Sequence, residues 1–155
     1  MFKGSMAAII TPMHEDGSID QEALRDLVEW HIANKTDAIV ATGTTGESVT
    51  LDPDELFEVN QIVAQQVAGR VPVIAGTGSN NTRTVIKLSK DAKRAGVNAL
   101  LIVTPYYNKP TQNGLYEHYK TIADEVGMPI ILYNVPSRTA CDILPETVER
   151  LSKIK

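Results

Sequence analysis

Ile130-Ile131-Leu132-Tyr133-Asn134-Val135-Pro136-Ser137-Arg138-Thr139 is an apolar run that ends in a tyrosine and passes into a proline-bounded polar loop carrying an arginine. Pro129 before the run and Pro136 after it confine the extended part to a few residues. Isoleucine and leucine without polar alternation predict a strand buried on both faces, as in a parallel sheet. Tyr133 then stands at the C-terminal end of that strand, where a ligand can meet it. Arg138 offers a planar fork of donors suited to a carboxylate. Alone, the pair reads more readily as a strand-end core residue and a surface charge. The same arrangement recurs upstream, and the recurrence gives it weight.

Ser5 to Thr11 reads as a first strand stopped by Pro12, and His14-Glu15-Asp16-Gly17 as a polar turn. Asp20 is placed to cap a helix whose apolar face is Leu24, Leu27, Val28, His31 and Ile32. His31 on that stripe reads as a satisfied core histidine. Ala38 to Thr42 is a second strand that opens into Gly43-Thr44-Thr45-Gly46-Glu47-Ser48. Asp52-Pro53-Asp54-Glu55 starts the next helix with a capping box, and Leu56, Val59, Asn60, Val63 and Val67 line one face of it.

Val71 to Ala75 is the third strand and runs into Gly76-Thr77-Gly78. The helix after it begins near Thr82, turns Val85, Leu88, Ala92 and Ala95 inward, and stops at Gly96. Ala99 to Val103 is the fourth strand, ending in Thr104-Pro105-Tyr106-Tyr107-Asn108. Its helix, Asn113 to Glu125, presents Leu115, Tyr119 and Ile122. A last helix from Pro145 to Lys153 is expected to face Leu144, Val148 and Leu151 inward. Strand and helix alternate in units of roughly 30 residues, the size of a strand-helix crossover. The fold class is therefore parallel α/β, either an open doubly wound sheet or part of a closed barrel. Ligands gather at the C-terminal strand ends in both.

At 155 residues, with 43% hydrophobic and 22% charged residues, the chain fits one soluble domain, residues 1 to 155, with no linker inside it. A net charge of -4 and scattered Lys and Arg argue against nucleic acid. Cys141 is the one cysteine, so it has no internal disulfide partner and reads as a small buried hydrophobe in a reducing compartment. The apolar run Met6 to Ile10 is too short to span a membrane, and Met1 to Met13 lacks a signal-peptide cleavage pattern, so a cytoplasmic protein is expected.

The glycines around Thr44 and Thr45 can bring backbone N–H groups up to a carboxylate or phosphate, with the hydroxyls as further donors; an ordinary glycine turn is the alternative. Gly76-Thr77-Gly78 only opens a dinucleotide fingerprint, since Asn81 stands where its third glycine belongs. Of Tyr106 and Tyr107, adjacent aromatics, one is expected to face a site and the other a neighbour. His14, His31 and His118 are isolated, so no metal site is expected. Hydroxyl chemistry remains: Thr44, Tyr107 and Tyr133 at strand ends, with Arg138 beside them. Phenols have a reference pKa near 10 and shuttle protons usefully when joined into a hydrogen-bonded chain.

These segments, together with Phe2-Lys3-Gly4-Ser5, Pro72-Val73-Ile74-Ala75 and Lys109-Pro110, resemble the dihydrodipicolinate synthase family of pyruvate-dependent class I aldolases and lyases, along the whole chain. The resemblance implies a TIM (β/α)8 barrel, of which this chain supplies about the first five β/α units. It implies a homotetramer built from tight dimers, and condensation of pyruvate with L-aspartate semialdehyde on the route to diaminopimelate and lysine. Carried over by position, Tyr133 is the proton donor and acceptor, and Thr44 links it to Tyr107, which reaches into the partner subunit's site. Thr45 and the neighbouring amides hold the pyruvate carboxylate, and Arg138 holds that of the semialdehyde. Arg138 also separates this reading from an aldolase for sialic acid or a keto-deoxy sugar acid.

Two departures from the family's pattern stand out. Members inhibited by lysine use Ser48, Asn80 and Tyr106, which are present, together with a histidine and a glutamate where this chain has Leu56 and Thr84. Weak or absent lysine feedback is expected. The family needs no cofactor because pyruvate forms a Schiff base with a lysine on the sixth strand. No sixth strand is read before Lys155, and Lys153 and Lys155 read as the last helix and its exit. The chain alone is therefore expected to be inactive, a fragment or a non-catalytic interaction module, and to associate through open sheet edges.

Overall fold

A computed structural model describes residues 2–154. Lys155 and Met1 lie outside the described residues. Five strands, β1 (Met6–Ala8), β2 (Ala38–Ala41), β3 (Val73–Gly76), β4 (Ala99–Val103) and β5 (Ile130–Tyr133), pair in parallel in chain order. Between them run α1 (Gln21–Ala33), α2 (Pro53–Val67), α3 (Thr82–Ala95) and α4 (Gln112–Val126). A short α5 (Pro136–Thr139) and α6 (Pro145–Leu151) follow β5.

Strand order decides between the two architectures. A doubly wound sheet reverses its order at a switch point to cover both faces. Here each strand pairs with the next, and right-handed crossovers then put every helix on one side. The packing agrees. Ile39, Val73, Ala75, Leu100 and Ile102 join the large core with the helices, whereas Ala38, Val40, Ile74 and Ala99 form a second cluster with Phe2, Leu101 and Ile131 and no helix residue. That is the outer layer and the concave lining of a half-barrel.

Local chemistry sets the helix ends. Asp20 accepts from the Ala23 amide at the start of α1, and Asp52 and Glu55 close the predicted capping box of α2. Gly96 ends α3 in the left-handed region at φ 96°. His31 accepts or donates a bond to the Thr36 hydroxyl at 3.0 Å and is half-buried, as a structural histidine should be.

Four expectations need correction. The first strand is shorter than Ser5 to Thr11, because Ile10 turns outward and Thr11 leaves the ladder to bond elsewhere. The third is shifted to Val73–Gly76. β5 is half-buried at every residue, not buried on both faces: among the described residues it pairs only with β4, so one edge lacks cover. On α6, Leu151 is buried as expected, but Leu144 and Val148 are exposed. The helix is rotated by its contacts with α4, where the Thr147 hydroxyl donates to Gln112 Oε1 at 2.6 Å and Arg150 lies over the Tyr116 ring at 4.1 Å.

Candidate active site at the C-terminal rim

The loop between β2 and α2 is the most tightly specified part of the rim. Gly46 and Ser48 both donate to the Gly43 carbonyl, and Glu47 donates to that of Thr44, so the loop is a stack of turns. Gly43 and Gly46 are buried and Thr44 and Thr45 exposed. Among the described residues, the amides and hydroxyls of Thr44 and Thr45 bond to no protein group. Four donors on two adjacent exposed residues thus stand at a strand end without intramolecular partners, where an anion can reach them.

Tyr133 alternates with Ile131 on the concave side of β5 and pairs in register with Val103. Its carbonyl accepts from the Thr104 amide, which anchors the strand end. Beyond it the expected polar loop is partly helical. Pro136 occupies the first helical turn of α5, and Thr139 is buried with its hydroxyl 2.9 Å from the Cys141 carbonyl and 3.2 Å from that of Val135, which share its proton. Asn134 fastens the far side by donating to Asp142 at 2.6 Å and accepting from the Ile143 amide. Arg138 is carried on this tied segment, exposed, with its guanidinium bonded to no carboxylate among the described residues.

Tyr106 is half-buried, and Tyr107 is 89% exposed with φ 73°, a left-handed backbone that a tyrosine adopts only under constraint. Asn108 supplies part of that constraint by donating from its side chain to the Asn80 carbonyl at 3.1 Å. No hydrogen bond joins Thr44, Tyr107 and Tyr133 among the described residues. They share a rim without forming a chain.

Gly76 and Gly78 serve packing. A Cβ on Gly76 would lie 2.1 Å from the Thr42 carbonyl oxygen, and one on Gly78 would lie 2.5 Å from the Val103 amide nitrogen. Only glycine lets three successive strand ends close up this far. No group of three His, Cys, Asp or Glu able to hold a metal occurs among the described residues. Cys141 is buried, and burial first, then the Asp142 charge, pushes its thiol pKa up, which keeps it unreactive. No helix among the described residues is long and apolar enough to cross a membrane.

The sequence reading missed one pattern. A threonine follows β2, β3 and β4 at once, as Thr42, Thr77 and Thr104, and Thr11 stands three residues past β1. All four are buried. Thr11 donates to the Gly46 carbonyl at 2.8 Å, and the Thr77 and Ser89 hydroxyls bond at 2.9 Å. The signal is a Thr at or near the exit of four of the five strands, visible in the sequence but indistinguishable there from ordinary β-propensity.

A sequence model of the Dihydrodipicolinate synthetase family matches residues 1–155. The chain is 61% identical over 154 residues to the 4-hydroxy-tetrahydrodipicolinate synthase of Ectopseudomonas mendocina, covering 99% of this chain and 53% of that protein. It is 62% identical over 155 residues to that of Geobacter sulfurreducens, covering 100% of this chain and 53% of that one. The crystal structure of the dihydrodipicolinate synthase from Acinetobacter baumannii complexed with pyruvate superposes with a TM-score of 0.98 at 52% identity, over 99% of this chain and 53% of that one. The chain thus spans about half the length of the curated relatives it matches. Five parallel strands in sequential order correspond to the N-terminal part of the barrel in these relatives. The chain belongs to the Dihydrodipicolinate synthetase family.

Proposed function

We propose that this chain forms the N-terminal part of a 4-hydroxy-tetrahydrodipicolinate synthase, a lyase that condenses pyruvate with L-aspartate semialdehyde in the diaminopimelate route to lysine. The observation that carries the reading is the set of unbonded amides and hydroxyls at Thr44 and Thr45, held on the same rim as Tyr133 and Arg138. Thr45 and the adjacent N–H groups bind the pyruvate carboxylate. A lysine amine on a sixth strand attacks the keto carbon, water leaves, and the Schiff base holds pyruvate without a cofactor. Tyr133 transfers the protons of this step and of the aldol addition. Thr44 and Tyr107 complete its relay, with Tyr107 contributed to a neighbouring subunit of a homotetramer. The 89% exposure of Tyr107 supports that role, because an exposed aromatic in a constrained backbone is suited to a partner. Arg138 binds the semialdehyde carboxylate through its fork of donors. The enzyme works in the cytoplasm. Lysine regulates it weakly or not at all, because Leu56 is packed into the core and Thr84 carries no charge.

Incubation of the protein purified from its own gene with pyruvate and borohydride tests the reading. A reduced adduct that maps to a lysine, and condensation with L-aspartate semialdehyde, are expected. Cleavage of sialic or keto-deoxy sugar acids in place of condensation would identify a sugar-acid aldolase. No adduct from any keto acid would identify a non-catalytic module.

A further inference from the structure

The carboxylate-binding loop is held from two sides by groups outside it. From β1, the Thr11 hydroxyl donates to the Gly46 carbonyl at 2.8 Å. A Cβ at position 46 would lie 3.2 Å from that hydroxyl oxygen, so the glycine lets the bond form at this distance. From the other side, Thr42 precedes the loop with φ 50° and is 1% exposed. Its hydroxyl donates to Asn60 Oδ1 on α2 at 3.1 Å and lies 3.2 Å from the Gly76 carbonyl on β3. One hydroxyl carries one proton. That proton is shared between two acceptors, Asn60 Oδ1 and the Gly76 carbonyl, so the buried Thr42 hydroxyl ties the strand exit to both α2 and β3. An asparagine inside a helix and a β-branched residue in the left-handed region are each unfavourable locally.

We infer that Thr11 and the Thr42–Asn60 pair are positioning residues that set the geometry of the Thr44–Thr45 donors, and through it the affinity for the keto-acid carboxylate. The inference rests on the synthase reading for its ligand and on the hydrogen bonds alone for the clamp. Neither Thr11 nor Thr42 touches substrate in this account. Each acts through the loop backbone.

Thr11→Val and Thr42→Val keep shape and branching while removing the hydroxyl. In the protein purified from its own gene, each variant is expected to raise the KM for pyruvate about 3- to 10-fold, the range for loss of one hydrogen bond. The KM for the aldehyde substrate stays within twofold. Thr11→Ser and Thr42→Ser restore the pyruvate KM, which a role in packing volume alone would not give. Exchange of the Gly46 and Ser48 amides, read without any substrate, accelerates by a similar factor in the Val variants and returns in the Ser variants. Unchanged exchange and an unchanged pyruvate KM in both Val variants would overturn the inference, as would failure of serine to rescue. If the exchange results hold while pyruvate neither binds nor reacts, the clamp stands as a loop device, its assigned role in keto-acid binding fails, and the synthase reading falls with it.

Discussion

The ends of β2 and β5 carry two halves of one proposed chemistry, yet they are built in opposite ways. Every residue of β2 is buried, strands flank it on both sides, and the loop it feeds is clamped by Thr11 and Thr42. β5 is half-buried throughout. Its outer flank opens on an apolar cavity of about 650 Å³ lined in part by Met128, Ile130, Leu132, Val148 and Leu151. A binding loop can therefore be fixed by its immediate neighbours in the sheet. Tyr133 and Arg138 are held by local turns such as Asn134–Asp142, while the surface beside them stays open. The contrast places the enclosed, bonded loop at the proposed carboxylate-binding end and the half-buried strand at the proposed proton-transfer end.

Core deletions should expose the contrast most strongly. Ile74→Ala, at a fully buried concave position, is expected to cost about 4 kcal/mol, and Ile131→Ala, on the same face of β5, about half that. Urea unfolding of both variants measures the difference. Equal costs would mean that the β5 flank is covered as well as β3.

Acid should act between the two regions. His118 on α4 bonds through Nδ1 to the Thr82 hydroxyl at 2.9 Å, and burial lowers its pKa from 6.5 to about 4. The unfolded chain binds the proton more readily, so stability is complete above pH 6.5 and falls as pH drops toward 4, by about 3 kcal/mol at most. His118→Phe should flatten that part of the stability profile. A slope unchanged in the variant would assign the acid sensitivity elsewhere. The smallest effect is expected at the exposed rim: Tyr107→Gly relieves a left-handed backbone and should stabilise by about 1 kcal/mol, read as a rise in urea midpoint. A loss of stability would show that the ring packs in solution.

Element types were legible because local chemistry and burial agree from β2 through β4. The capping box at Asp52, the stop at Gly96 and the face through Leu115, Tyr119 and Ile122 all appear where periodicity placed them. What misled was tertiary. A run of isoleucine and leucine reads as doubly buried whether or not a neighbour covers it, so β5 looked central. Leu144 and Val148 fit an inward face, but the Thr147–Gln112 bond set the rotation of α6. Periodicity leaves the barrel and the open sheet undecided; the family resemblance implies the barrel, and the sequential strand order agrees with it. Of the site, Thr44, Thr45, Tyr107, Tyr133 and Arg138 drew notice by type and place. Thr11, Thr42 and Asn60 did not, because a buried hydroxyl reveals its role only through a partner distant in sequence, 35 residues away for Thr11 and 18 for Thr42.

Pyruvate titration followed at the backbone amides of Thr44 and Thr45 by nitrogen-15 NMR shows whether these donors bind the keto-acid carboxylate. Saturable shifts are expected at both amides with pyruvate and none with pyruvamide, which lacks the carboxylate. Equal shifts with pyruvamide, or pyruvate binding that leaves both amides unmoved, would contradict that assignment.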